Sequence, residues 1–118
     1  MILKRSALVF AALISTTVQA GPCNAILEND KLTSCLADEF QAADARLNQN
    51  YGAARKRLGK ELLGLLQKSQ RAWLIVRDSD CEIQASLADG GQAYQPLYLS
   101  CQTVKTLRRV EELNNLAP

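Results

Sequence analysis

The residues Leu32, Leu36, Phe40, Ala43, Leu47, Tyr51, Ala54 and Leu58 step by three or four along the chain. On a helical wheel they fall within about 100° of arc, which predicts one helix over residues 32–58 with a single buried face. At 1.5 Å per residue such a helix would reach about 40 Å. Its start falls between Asp30 and Ser34, whose side-chain oxygens accept from free N–H groups. Ahead of it the segment from Cys23 to Lys31 is short and polar, and suits a turn tied down by its cysteine.

Gly59 and Lys60 leave only a very short connection, so a second helix over residues 61–87 is expected to turn back antiparallel to the first. Its main apolar face collects Leu62, Leu65, Leu66, Ala72, Trp73, Val76 and Ile83, with Leu63 and Leu74 to one side. Ile75 sits among the polar residues Gln67, Arg71, Asp78 and Glu82, either exposed or covered by the N-terminal arm. A face this wide predicts a central helix with neighbours on two sides. The Ala88-Asp89-Gly90-Gly91-Gln92 segment is the strongest loop signal, since paired glycines break a helix and accept positive φ. A third helix follows over residues 95–114, with Pro96 in its first turn. Its apolar residues spread around the wheel and leave the buried face open. The prediction is an all-α domain of three main helices, an antiparallel hairpin of helices 1 and 2 plus helix 3.

The first twenty residues read as a secretory signal peptide. Lys4 and Arg5 precede an apolar run from Ala7 to Ile14, and Val18-Gln19-Ala20 forms a small-residue cleavage site. The run is too short for a span of roughly 20 residues, so the mature domain is expected to start at Gly21 and to lie in the periplasm or outside the cell. Cys23 follows Gly21-Pro22 rather than the cleavage site itself, which argues against a lipid anchor. Removing Lys4 and Arg5 leaves twelve basic and twelve acidic residues. A neutral domain without a basic stripe lacks the main driving force for binding nucleic acid or anionic membranes.

Four cysteines in an exported chain imply two disulfides, with three possible connectivities. Spacing favours Cys23 with Cys35 and Cys81 with Cys101. The chain has no histidine and no paired CxxC spacing, so neither a zinc site nor an imidazole-based nucleophile is available. No cofactor motif is present. Asp78 and Glu82 are four residues apart, a spacing open to a glycosidase-like pair, but they fall in the polar sector of helix 2 and read as a solvated face. Trp73 and Arg77 are one turn apart, so the guanidinium lies against the indole while its fork reaches a carboxylate. Asp80 projects toward the Leu62, Leu66 and Trp73 side and needs a donor, from Arg108, Arg109 or a free N–H at the start of helix 3. Trp73, Arg77, Asp78, Asp80 and Arg109 thus form a predicted structural network. Asp89, Gly90 and Gly91, in a loop that the predicted Cys81–Cys101 bridge would tether, form the candidate partner-binding site.

Several of these residues belong to a larger pattern. Asp44, Leu47, Asn48 and Tyr51 (DxxLNxxY), then Gln70-Arg71-Ala72-Trp73 with Arg77-Asp78 and Cys81 (QRAWxxxRDxxC), then Gly90-Gly91, and last Cys101, Thr106 and Arg109 (CxxxxTxxR) resemble the LprI-like family of bacterial envelope proteins. The resemblance covers nearly the whole mature region. It implies a small helical exported domain and, through the family's named member, a lysozyme inhibitor rather than an enzyme, with a lysozyme as protein partner. The alternative is a structural or interaction protein of the cell envelope that binds another protein, or itself, through the exposed side of helix 2 around Ile75.

Overall fold

The computed structural model describes residues 22–88 and 90–116; the expected signal peptide and Asp89 lie outside the described residues. A short 3-10 turn, Pro22–Ala25, leads into three helices: α1 (Asn29–Arg57), α2 (Lys60–Leu87) and α3 (Tyr94–Asn114). Among the described residues there is no strand. The all-α reading holds, and the helix limits differ from those expected by at most three residues.

The α1 stripe behaves as its spacing predicts. Leu36, Ala43, Leu47 and Ala54 are buried, and Phe40 and Tyr51 are half-buried beside them. After α1 the chain is extended through Leu58 and Gly59, then enters α2 at once. Arg77, far along α2, reaches back to Phe40 and Asp44 near the middle of α1.

The helix with neighbours on two sides is α3, not α2. The backbone of α3 runs close to both α1 and α2. Its direction follows from its ends: Arg57, at the end of α1, donates from Nη2 to Leu113 O at 2.8 Å and from Nε to Leu116 O at 3.3 Å. Leu113 O lies in the last turn of α3, where it also accepts from Leu116 N–H at 3.2 Å, and Leu116 follows just after the helix. Helix α3 therefore runs parallel to α1 and antiparallel to α2.

The buried face of α2 also differs from the expected one. Its buried residues are Leu66, Gln70, Arg77, Cys81 and Ala85, whereas Leu62, Leu65, Ala72, Val76 and Ile83 are exposed. Hydropathy placed the face over the Leu and Val side. Pairing with α3 rotates the helix so that glutamine and arginine point inward.

The interior is graded along the bundle. Leu47, Ala54, Leu66, Val110 and Leu113 form an apolar cluster, with Tyr51, Leu58 and Trp73 packed on it, near the α1–α2 turn. At the other end the bundle is closed covalently. Cys23 joins Cys35 (S–S 2.02 Å) and Cys81 joins Cys101 (S–S 2.10 Å), the two pairings that spacing favours. Cys23 and Cys81 are almost fully buried. Each closed loop stabilises a domain by roughly 3 kcal/mol in the chain-entropy model, which matters at an end with few large apolar residues.

Candidate functional site

Between the apolar cluster and the disulfides lies a column of alternating rings and cations. The Arg77 guanidinium is 5.3 Å from the Phe40 ring centre and 5.3 Å from that of Trp73. Arg109 lies over Trp73 at 5.8 Å. The order Phe40, Arg77, Trp73, Arg109 therefore links α1, α2 and α3. Arg77 is placed by its one-turn spacing from Trp73. Arg109 is placed by the antiparallel α2–α3 register that Cys81–Cys101 anchors.

The polar atoms around the column are paired. Arg77 donates from Nε to Asp78 Oδ1 at 2.9 Å and from Nη1 to Thr106 Oγ1 at 3.3 Å, and its Nη1 lies 3.7 Å from Asp44 Oδ1. Gln102 Nε2 donates to Asp78 Oδ1 and to Tyr98 Oη, each at 2.8 Å. Arg109 spreads its fork over Gln70 Oε1 at 3.0 Å, Ser69 Oγ at 2.9 Å and Glu112 Oε2 at 2.9 Å. Among the described residues no buried side-chain nitrogen or oxygen is left without a partner. Partial burial, followed by the neighbouring Asp78 carboxylate, holds the Tyr98 hydroxyl above the ordinary phenol pKa.

Of the residues singled out from the sequence, the structure brings Trp73, Arg77, Asp78 and Arg109 into this one cluster. Asp80 is set apart. It is half-exposed and receives Lys105 Nζ at 2.8 Å, not Arg108, Arg109 or a backbone N–H. The register that sets Cys81 against Cys101 brings position 105 opposite Asp80 and carries 109 on toward Gln70. Sequence reasoning missed Phe40, Gln70 and Gln102 as members of the cluster. The signal for Phe40 was its place on the α1 stripe and that for Gln70 its place at the head of the QRAW block; Gln102 left none. Of the two carboxylates expected on a solvated face, Glu82 is exposed but Asp78 is half-buried and accepts from Arg77 and Gln102.

The loop lies outside this cluster. Gly90 and Gly91 both have positive φ, 71° and 72°, which side chains rarely adopt, and both are exposed. A short 3-10 turn, Gly91–Ala93, returns the chain to α3. Among the described residues no group of three acidic or cysteine side chains is placed to hold a metal ion. No described helix is long and apolar enough to cross a membrane.

The motif residues that build this interior all lie within the stretch that a family model matches. The family model described as Lysozyme inhibitor LprI matches residues 23–113. The chain belongs to the LprI family. Two relatives are themselves uncharacterised: the protein YecT of Escherichia coli (strain K12), 37% identical over 97 residues, and the protein R02472 of Rhizobium meliloti (strain 1021), 34% identical over 107 residues. The first alignment covers 70% of this chain and 60% of YecT; the second covers 80% of this chain and 77% of R02472. No solved structure matches. In this LprI-family chain the QRAWxxxRDxxC and CxxxxTxxR blocks meet face to face: Gln70 with Arg109, Arg77 with Thr106, Cys81 with Cys101. Asp44, Leu47 and Tyr51 of the first motif point at the same interior, while Asn48 is exposed.

Proposed function

We propose that this chain is an exported protein-binding domain of the cell envelope that inhibits a lysozyme or a related muramidase, and that it is not an enzyme. The observation that carries the reading is the engagement of the LprI motif side chains with one another inside the bundle. The charged side chains of these motifs hold the fold, and surface is what remains for function. The family description supports inhibition, and the leader at residues 1–20 supports periplasmic or extracellular residence.

The inserting element in this reading is the loop from Ser86 to Tyr94. Two exposed glycines with positive φ let bare backbone approach a concave surface closely. The Cys81–Cys101 bridge restrains both sides of the loop, which lowers the entropic cost of ordering it on a partner. Asp89 supplies an acidic contact for the cationic surface that lysozymes generally present. A second reading, an envelope interaction protein without inhibitory activity, draws support from the exposed Ile75 on the outer side of α2.

Titration of a lysozyme panel on a cell-wall suspension tests the proposal. Inhibition is expected, and Asp89→Lys should weaken it together with its salt dependence while leaving the melting temperature near that of the wild type. A wild-type protein that leaves every lysozyme fully active removes the inhibitor reading. Inhibition that survives both Asp89→Lys and replacement of Gly90-Gly91 by Ala-Ala removes only the loop.

A further inference from the structure

The outer side of α2 carries a second periodicity that the three-helix fold leaves unused. Leu65, Val76 and Ile83 keep 63%, 54% and 58% of their surface exposed, and Leu62 is exposed with them. They fall on a repeat of alternating three- and four-residue steps whose other positions are Ser69, Ala72 and Ser79, also exposed. No charged residue interrupts this stripe over roughly 30 Å of helix. A 3.5-residue repeat is the signature of a helix that packs along another helix. Leu66, Gln70, Arg77 and Cys81 already form the face that α2 turns to its own bundle, and among the described residues the side-chain hydrogen bond that reaches the second face from within the fold is the one from Arg109 to Ser69 Oγ, at its edge.

We propose that a second copy of this chain covers that face, with the two α2 helices antiparallel across a two-fold axis beside Ile75. Reversed, the stripe nearly reproduces itself: Leu65 falls opposite Ile83, Ser69 opposite Ser79, and Ala72 opposite Val76. Large meets large where Leu65 faces Ile83, the serine and alanine positions let the helices approach between those layers, and at each end Leu62 falls opposite Ser86. The flanking charges obey the same symmetry. Lys68 and Glu82 each precede a stripe position by one residue, and in this register each faces the other across the axis, twice per dimer. Ile75, 68% exposed among polar neighbours, precedes Val76 and meets its own copy on the axis. A parallel pair would set Lys68 beside Trp73 and Glu82 beside Leu87, with no opposite charge for either. The self-complementary arrangement closes at two copies, as an isologous interface must.

Sedimentation equilibrium of the purified protein should show a concentration-dependent dimer. Lys68→Glu should weaken it roughly ten-fold, and adding Glu82→Lys to the same chain should restore it. Ile75→Glu should give a monomer with an unchanged helical circular dichroism spectrum, because Ile75 is outside the bundle interior. If that variant fails to fold, the charge swap carries the test, since both charged residues are exposed. A short thiol cross-linker should join Leu65→Cys chains to Ile83→Cys chains, and join neither variant efficiently to itself. A wild-type protein that stays monomeric, a dimer indifferent to the folded Ile75→Glu change or to Lys68→Glu, or efficient Leu65→Cys self-linking would each overturn the proposal. The lysozyme assay bears on none of these outcomes.

Discussion

Arg77 lies over the ring of Trp73 at 5.3 Å while the same guanidinium donates to Asp78 and Thr106. One buried cation thus joins aromatic stacking to a two-helix hydrogen-bond network. A lysine carries the same charge but has neither the planar face nor the fork. Arg77→Lys is therefore expected to cost about 2 kcal/mol of stability, and Arg77→Ala somewhat more, read as shifts in the urea midpoint. A lysine variant as stable as the wild type would show that charge alone matters at this position.

Trp73 is packed against the apolar cluster and stacked with two cations, so its removal opens a cavity and unseats both arginines. Trp73→Ala should cost roughly 3 to 5 kcal/mol, a large share of the stability of so small a domain. Because Arg77 and Trp73 act through one contact, the double variant should cost less than the two single changes added together. Full additivity in the double-mutant cycle would mean that the stack contributes nothing beyond separate packing.

Both disulfides should appear in the native protein as a mass four hydrogens below that of the fully reduced chain. The bridged residues are 12 apart in one case and 20 in the other. If loop closure dominates, replacing Cys81 and Cys101 by serine should cost about 0.5 kcal/mol more than replacing Cys23 and Cys35. Chemical denaturation of the two double variants makes the comparison, and the reverse order would point to local packing around Cys23 instead.

Tyr98 supplies a pH dependence with a defined sign. Its folded-state pKa is raised above the ordinary 10.0 by burial and by Asp78, so the folded protein holds the phenol proton more tightly than the unfolded chain. That contribution is complete below the unfolded value and is lost as pH rises through the folded one. Tyr98→Phe should therefore reduce the fall in stability between roughly pH 9 and pH 11, measured by urea midpoints at each pH. An identical decline in both proteins would assign the alkaline loss to other groups.

Much of the architecture can be read from local signals, because those signals are themselves local physics. The three-or-four-residue steps from Leu32 to Leu58 define α1 and its buried side, since only one arc of a helix can be shielded at once. The Gly90-Gly91 pair marks the break between α2 and α3, because two successive positive-φ residues cannot belong to a right-handed helix. Cysteine spacing selected the two bridges that close the end opposite the apolar cluster. Even the Trp73–Arg77 contact is a one-turn relation, legible without knowledge of any other helix.

What only the tertiary structure decided are the relations between helices. Hydropathy turned the Leu62, Leu65, Val76 and Ile83 side of α2 inward, yet Gln70 and Arg77 are buried in its place, because α3 supplies Arg109, Thr106 and Gln102 as partners for polar groups. The cost of burying glutamine or arginine disappears only when such partners stand opposite, and a sequence pattern on one helix contains no information about the other. The pairing of Asp80 with Lys105, and the place of α3 rather than α2 between its neighbours, follow for the same reason. Both depend on the register of two antiparallel helices, which the Cys81–Cys101 bridge and side-chain packing set in three dimensions, whereas helical periodicity along one chain is the same for every register.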